Sequence, residues 1–244
     1  MIKKNYIITA HQPAYLPWLG LFHKIALADK YVFLDQVQYV PKTWINRNYI
    51  KNESGKLLLT LPVLTKGHLK SKISDILINN NLPWKRKHFN SIRSFYSKSK
   101  YFNKYIGFFE DIYSKEWKSL SEITSKMLIG FLSLLKIKTE ISFNDDYFFK
   151  GKNNSLIIDM CKQLNGNVYI FGELGANYVN KEEFRKNDLK IYFQKYIHPE
   201  YFQPNGNFEN NMSIVDLLFN CGEDSSEIIF ENNVSKKDLI KKFN

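Results

Sequence analysis

A loop that carries a histidine follows the first apolar run of the chain. The apolar run is residues 5–10, and the loop, residues 11–20, reads HQPAYLPWLG. Ligands of open α/β sheets bind beyond the carboxyl ends of the strands, so this loop is predicted to form the wall of a site. His11 is a candidate catalytic acid or base, and Gln12 and Trp18 are candidate substrate contacts. The alternative is that His11 and Gln12 only satisfy backbone groups where a helix begins.

A second polar segment begins where the next apolar run ends. Residues 31–34 read YVFL and are followed by Asp35, with Gln38 three residues further on. Consecutive parallel strands end at the same edge of a sheet, so Asp35 is expected beside the loop that carries His11. In that position the Asp35 carboxylate would orient the His11 ring for proton transfer.

Amides and cations cluster in the following predicted strand. Arg47 lies between Asn46 and Asn48, with Trp44 before them and Lys51 after them. The guanidinium suits bidentate binding of a phosphate or carboxylate, and the lysine adds a second positive charge. These five residues are therefore candidate substrate contacts. The alternative is the polar outer face of a hairpin.

A third candidate segment follows the last predicted strand. Residues 196–204 read YIHPEYFQP, and His198 precedes a proline that holds it in an extended conformation. His198 is a candidate catalytic residue, and Tyr201 and Gln203 are candidate substrate contacts. A structural turn with buried rings would explain the same residues.

The chain lacks the motifs that would assign a cofactor or metal. It contains no GxGxxG, GxxxxGK[ST], GxSxG, HExxH or CxxC sequence. Their absence argues against a dinucleotide fingerprint, a P-loop, a hydrolase nucleophile and the common zinc motifs. A metal bound by His11, Asp35 and His198 has no supporting spacing, so no metal is predicted.

The patterns around these segments predict the elements that position them. Residues 5–10, 18–28 and 31–34 read as strand, helix and strand, a βαβ unit that is typical of a parallel sheet. Residues 44–51 and 56–63 read as the two arms of a hairpin.

Helical spacing dominates residues 83–137, which are predicted to form three helices. The later predicted elements are a helix at 155–164, a strand at 168–171, a short helix near 182–186, a strand at 190–196 and a helix at 213–219. The fold class is therefore α/β, with a mixed, mainly parallel central sheet, flanking helices and a helical insertion at about 83–137. Residues 1–244 are predicted to form a single domain.

Length and composition exclude several protein classes. The 244 residues include 35 Lys and Arg against 24 Asp and Glu, a formal charge of +11, and 44% of them are hydrophobic. These values are typical of a globular protein and argue against disorder. Neither a signal peptide nor a membrane span is visible, so a cytoplasmic protein is expected. The lysines are spread along the chain, which favours anionic small substrates over nucleic acid.

The segments described above also carry a family resemblance. Residues 11–51 read HQPAYLPWLGLFHKIALADKYVFLDQVQYVPKTWINRNYIK and resemble the opening of the WbqC-like protein family. The later segments YIHPEYFQ and SIVDLLFNCG agree in order, so the resemblance extends to about Gly222. One departure is residues 171–177, FGELGAN, where the family more often has a small, Gly-rich turn. If that turn touches substrate, Glu173 bears on which substrate is accepted.

The resemblance implies work on sugar precursors in bacterial surface polysaccharide synthesis, including O-antigen and lipopolysaccharide, particularly with amino sugars. We expect a transferase that N-acylates or N-aminoacylates a nucleotide-linked amino sugar. It would need an acyl or aminoacyl donor, and an aminoacyl-tRNA donor would suit the positive charge. The residues matched to the family by position are His11, Gln12, Pro13, Trp18, Asp35, Gln38, Trp44, Asn46, Arg47, Asn48, Lys51, His198, Tyr201, Gln203 and Asp216.

Two alternatives stay open. One is an enzyme of the same pathway that transfers a nucleotidyl or phosphoryl group. The other is a non-catalytic binding or scaffold protein that docks polysaccharide assembly enzymes through its aromatic surface.

Overall fold

A five-stranded parallel sheet is the centre of the protein, whose computed structural model describes residues 5–64, 70–143, 146–204 and 206–243. In chain order the strands are β1 (Ile7–His11), β2 (Lys30–Phe33), β3 (Arg47–Asn52), β4 (Gly55–Thr60), β5 (Glu140–Ser142), β6 (Val168–Gly172) and β7 (Lys190–Gln194). The spatial order of the central sheet is β5-β2-β1-β6-β7, and every neighbouring pair is parallel. The predicted α/β fold class is confirmed.

Helices cover both faces of this sheet and extend beyond it. In chain order they are α1 (Leu19–Leu27), α2 (Trp84–Tyr96), α3 (Phe102–Ser114), α4 (Leu120–Leu134), α5 (Asn154–Gln163), α6 (Lys181–Lys186), α7 (Ile214–Cys221), α8 (Ser225–Phe230) and α9 (Lys236–Lys241). The predicted helices and strands are confirmed to within a few residues. The sequence pattern did not predict β5, α8 or α9, because elements of three to six residues have too few positions to show a periodicity.

The predicted hairpin is present, but it stands apart from the central sheet. β3 and β4 form an antiparallel pair of their own, with Arg47 opposite Thr60 and Tyr49 opposite Leu58. Gly55 has φ +118° at the turn, a backbone conformation that favours glycine.

The helical segment α2–α4 shares its core with the rest of the chain. Phe131 of α4 lies edge-to-face against Phe22 of α1 at 6.0 Å between ring centroids. Phe109 of α3 stacks on Phe219 of α7 at 5.2 Å. These residues belong to one buried cluster that also includes Ile50 of the hairpin, so the helical insertion packs as part of a common core.

The order of the strands reverses beside β1. The chain passes from β1 to β2 and later to β5 on one side of β1, and it reaches β6 and β7 on the other side. Pairing between β1 and β6 ends at Thr9 and Ile170, whereas pairing between β1 and β2 continues to His11 and Phe33. The point at which strand order reverses is where open α/β sheets bind ligands. We call it the β1–β6 crevice.

Candidate functional site

His11 is the last residue of β1 and lies at the β1–β6 crevice. Its Nδ1 donates to the carbonyl of Gln12 at 2.6 Å, because a carbonyl can only accept. Within the described residues, Nε2 has no hydrogen-bond partner, and the residue is partly exposed. Nε2 therefore carries an unprotonated lone pair that can accept a proton.

The surroundings of His11 keep its imidazole neutral. Burial and, to a smaller extent, the positive charge of Lys24 lower the pKa of His11 from its ordinary 6.5 to about 3. The hydrogen bond to Gln12 acts in the opposite direction but is outweighed. The ring is thus in the protonation state that a general base needs.

Lys24 is a residue of this site that the sequence analysis missed. It lies on α1, is only 5% exposed, and its Nζ donates to the carbonyl of Ala10 at 3.1 Å. Burial lowers the pKa of Lys24 from 10.5 to about 8. A signal was available in the sequence, because Lys24 and its neighbour His23 are the only polar side chains in an otherwise apolar helix.

Asp35 follows β2 at the same edge of the sheet, and its predicted role in orienting the His11 ring stays a prediction. The Nδ1 atom of His11 donates to the Gln12 carbonyl. Asp35 is buried and lines a cavity of about 390 Å³ together with Lys72. Gln38 forms an isolated β-bridge with Lys72 next to this cavity.

The two predicted asparagines are buried and join the hairpin to its surroundings. The Asn46 side-chain amide donates to the Leu61 carbonyl at 2.8 Å, and that of Asn48 donates to the Leu16 carbonyl at 2.6 Å. These contacts hold the backbone of the hairpin against the loop after β1. Their predicted role in substrate binding stays a prediction.

Trp44 and Arg47 lie on the outer side of the hairpin. The Trp44 side chain is 56% exposed and lies 5.7 Å from the ring of Tyr49. The Arg47 guanidinium donates to the carbonyl of Lys42. An exposed ring and a guanidinium on one surface can contact a base or an anion.

Several of the predicted substrate contacts surround a buried carboxylate. Asp216 of α7 is fully buried and accepts hydrogen bonds from Tyr96 at 2.9 Å, from Tyr201 at 2.8 Å and from Gln203 at 2.8 Å. Burial raises the pKa of Asp216, while these donors and the charge of Lys51 oppose the rise. We call these five residues the Asp216 network.

Lys51 is as buried as Lys24 but is held differently. It is 5% exposed, and its Nζ donates to the carbonyl of Asn207 at 2.8 Å. Its backbone N–H donates to the Tyr96 hydroxyl at 3.0 Å. Lys51 thus has a carboxylate, Asp216, in its electrostatic environment.

His198 lies in the segment that covers this network, away from the contacts of His11. Its Nδ1 donates to the Pro199 carbonyl at 2.9 Å, and its Nε2 accepts from the Asn211 N–H at 3.3 Å. Burial lowers the pKa of His198. Both ring nitrogens are engaged, and this arrangement favours packing over proton transfer, although the predicted catalytic role is untested.

Trp18 begins α1 with its ring packed inside the protein. It lies edge-to-face on Tyr196 at 5.6 Å and forms a β-bridge with Ser213. A Cβ on Gly20 would lie 2.3 Å from the Trp18 ring, so glycine is required for this packing. The ring is only partly exposed.

The predicted site residues therefore do not form one cluster, and two groups of them can be distinguished. His11 and Gln12 lie at the β1–β6 crevice, where the structure adds Lys24. The segment that carries Tyr201 and Gln203 is gathered around α7 instead. The loop after β1 connects the two groups through hydrogen bonds to the hairpin.

Comparison with known proteins identifies the family. Residues 12–228 match the WbqC-like protein family. The chain belongs to this family. It is 30% identical over 230 residues to "Uncharacterized protein Rv1507c" of Mycobacterium tuberculosis. This alignment covers 93% of the chain and 98% of the relative. No solved structure is significantly similar to the chain.

A larger cavity of this WbqC-like protein lies at the opposite edge of the sheet. Its volume is about 1150 Å³. It lies near the start of β2 and β5, and its lining includes Asp29 and Thr139. None of the predicted site residues lines it. Two charged residues of its lining, Lys236 and Asp29, form an ion pair at 2.8 Å.

The described part of the WbqC-like protein contains no group of three or more His, Cys, Asp or Glu side chains placed to hold a metal ion. Over the same residues, no helix has the length and apolar character needed to cross a membrane. The two cysteines, Cys161 and Cys221, are both buried, and burial raises the pKa of each thiol, to about 12 and about 11. Neither thiol is poised as a nucleophile.

Proposed function

We propose that this WbqC-like protein is a transferase that acylates or aminoacylates the amino group of a nucleotide-linked amino sugar for surface polysaccharide synthesis. The observation that carries the proposal is His11, a neutral imidazole with an available Nε2 at the strand-order reversal of the sheet. The family resemblance supports the proposed pathway, and this residue supports a proton-transfer step in the proposed chemistry.

His11 acts as the general base in the proposed reaction. The sugar nitrogen attacks the carbonyl carbon of the acyl donor, and His11 Nε2 accepts the proton that this nitrogen loses. A C–N bond forms, the bond from the acyl carbon to the leaving sulfur or oxygen breaks, and the leaving group takes up a proton. The Gln12 carbonyl keeps the ring in the tautomer that this step needs.

An anionic substrate would bring the pKa of His11 towards the working pH. A base with a pKa of about 3 accepts protons weakly. A diphosphate bound nearby would stabilise the imidazolium and raise that pKa, because an adjacent negative charge favours the protonated form. The base would then be strongest when the nucleotide sugar is bound.

The hairpin supplies the proposed contacts to the nucleotide. The Tyr15 N–H donates to the Ile45 carbonyl at 3.0 Å, which ties the start of the hairpin to the loop after His11. Tyr15 is four residues from His11 in the chain, a reach of at most about 14 Å. The exposed Trp44 would stack on the base, and Arg47 would contact phosphate.

A second candidate function is nucleotidyl or phosphoryl transfer. The specific observation in its favour is the Lys24 cation close to His11, since cations stabilise the charge of a phosphoryl group during transfer. Release of pyrophosphate from a nucleoside triphosphate would identify this reaction.

The test is a mass-spectrometric assay of purified protein with nucleoside diphosphate amino sugars and either acyl-coenzyme A or aminoacyl-tRNA. The expected product is the nucleotide sugar with the mass of one added acyl or aminoacyl group. His11→Gln is expected to reduce turnover by about 100-fold or more, the usual contribution of a general base, while the nucleotide sugar still binds. The matched control substrate is the same nucleotide sugar with a hydroxyl in place of the amine, which should give no product.

Several results would reject this function. Pyrophosphate release would replace it with nucleotidyl transfer. A mutant series in which His11 and Arg47 can be replaced without loss of polysaccharide, while exposed rings cannot, would replace it with the scaffold alternative.

A further inference from the structure

Lys24 is a buried cation with little to hold it. It is 5% exposed, and with the described part of the chain its Nζ makes one hydrogen bond, to the Ala10 carbonyl at 3.1 Å. No acidic side chain within the described residues forms an ion pair with it, and burial is the sole cause of its lowered pKa. An ammonium can donate three hydrogen bonds, so two stay available.

The position of this ammonium follows from the strand pairing. The His11 carbonyl accepts from the Leu34 N–H, on the β2 side of β1. Successive carbonyls of a strand point to opposite edges, so the Ala10 carbonyl points towards β6. Pairing with β6 has already ended at Thr9, and Lys24 occupies the place that opens there. The ammonium therefore lies in the β1–β6 crevice.

Helix α1, which carries Lys24, is hydrogen-bonded to the end of β7. The Gln194 side chain, at the end of β7, donates to the Gly20 carbonyl at 2.9 Å and contacts His23 Nδ1 at 2.8 Å. Both partners are on α1, which also packs on the sheet. The ammonium is thus held in place by a rigid element and does not depend on a loop.

A buried positive charge without a counter-ion destabilises the fold, so its presence calls for an explanation. Lys51 offers the contrast, because it is equally buried but lies within the electrostatic reach of Asp216. Among the residues that the structure describes, no carboxylate is placed comparably near Lys24. Groups that are unfavourable for folding are retained where a ligand uses them.

We propose that the β1–β6 crevice is an oxyanion-binding site, with the Lys24 ammonium as its cation and His11 at its mouth. The oxyanion is a phosphate of the nucleotide substrate or a carboxylate of either substrate. The assignment to a substrate rests on the proposed function, but binding of the anion itself does not. It places the anion beside the base, on a cation that α1 supplies in addition to the hairpin cations Arg47 and Lys51.

The test is titration calorimetry with inorganic pyrophosphate and with acetate, at constant ionic strength and pH 7. Wild-type protein is expected to bind pyrophosphate, and Lys24→Met to bind it at least tenfold more weakly. The matched control is Lys162→Met, which removes the same charge from an exposed position on α5 and should bind like wild type. Circular dichroism and melting temperature show that each variant is folded.

The two probes separate the sources of the anion. Pyrophosphate bound in preference to acetate assigns the crevice to the nucleotide diphosphate, and equal binding of both assigns it to a carboxylate. Binding that Lys51→Met abolishes and Lys24→Met preserves would overturn the proposal and move the anion to the hairpin. No binding of either probe to wild type would also overturn it.

The result is independent of the transferase assay. Lys24-dependent anion binding with no turnover on any amino sugar would support the site and reject the proposed function. Turnover that survives Lys24→Met with an unchanged KM for the nucleotide sugar would support the function and reject the site.

Discussion

Two polar regions of this protein each contain a buried charged group, Asp216 in one and Lys24 in the other, but differ in how well that group is paired. In the Asp216 network, the carboxylate accepts from Tyr96, Tyr201 and Gln203 and also from the Asn220 amide, and a lysine is close enough to affect its pKa. At the β1–β6 crevice, Lys24 makes a single hydrogen bond, and His11 keeps Nε2 unused among the described residues. Buried polar groups that are paired stabilise the fold. Polar groups that are incompletely paired can bind a ligand.

This difference in pairing changes which of the predicted residues are good candidates for chemistry. Tyr201 and Gln203 were predicted to contact substrate, but each donates to a buried carboxylate that needs them. A buried donor that loses its acceptor destabilises the fold by about 1–3 kcal/mol. Polar residues in a satisfied network are therefore poor candidates for chemistry, while incompletely paired ones are good candidates.

Replacing Asp216 should give the largest loss of stability. Asp216→Ala leaves two tyrosine hydroxyls and the side-chain amides of Gln203 and Asn220 without this buried acceptor. We expect the free energy of unfolding to fall by about 3–5 kcal/mol. Urea denaturation measures the change. The control, Asp111→Ala, removes a half-exposed ion pair with Lys115 and should cost no more than about 0.5 kcal/mol. A similar small loss for Asp216→Ala would remove the contrast between the two regions.

Replacing Lys24 should change the free energy of unfolding in the opposite direction. Lys24→Met keeps a long apolar side chain and removes the unpaired charge. We therefore expect the free energy of unfolding at pH 7 to rise by up to about 3 kcal/mol. The folded-state pKa, about 8, lies below the unfolded value of 10.5, so the gain should shrink as the pH rises through that interval. Denaturation at pH 7 and pH 10 tests this, and a loss of stability at pH 7 would show that Lys24 is structural.

The smallest of these effects is the pH dependence contributed by His11. Its folded-state pKa of about 3 lies below the ordinary 6.5, so the unfolded state binds the proton first as the pH falls. The stabilising contribution is fully present above pH 6.5 and is lost below it, by about 2 kcal/mol at pH 5.

Comparing wild type with His11→Gln at each pH isolates this contribution. Burial also lowers the pKa of His23, His88 and His198, but those residues are present in both proteins. Parallel stability curves between pH 7 and pH 5 would mean that His11 is solvated like a free histidine, and the contrast with the Asp216 network would weaken.

Most of the fold was predictable because its helices and strands have a clear hydrophobic periodicity and clear boundary residues. The βαβ unit, the hairpin and the three helices after residue 83 are confirmed. The loop after β1 was recognised as a strand-end loop, and His11 does end a strand at the reversal of strand order. The three very short elements β5, α8 and α9 were missed because burial in the tertiary structure, more than local pattern, sustains them.

The amino-acid sequence by itself determined which segments form strands and helices, which loops follow strands, and which family the chain resembles. Only the tertiary structure decided which polar groups meet. It paired Tyr201 and Gln203 with Asp216, gave His11 Nδ1 the Gln12 carbonyl as its acceptor, and brought a helix lysine to the edge of a strand fourteen positions earlier in the chain. The physical reason is that periodicity depends on neighbours along the chain. The satisfaction of a buried donor or charge depends instead on which distant segments pack against it.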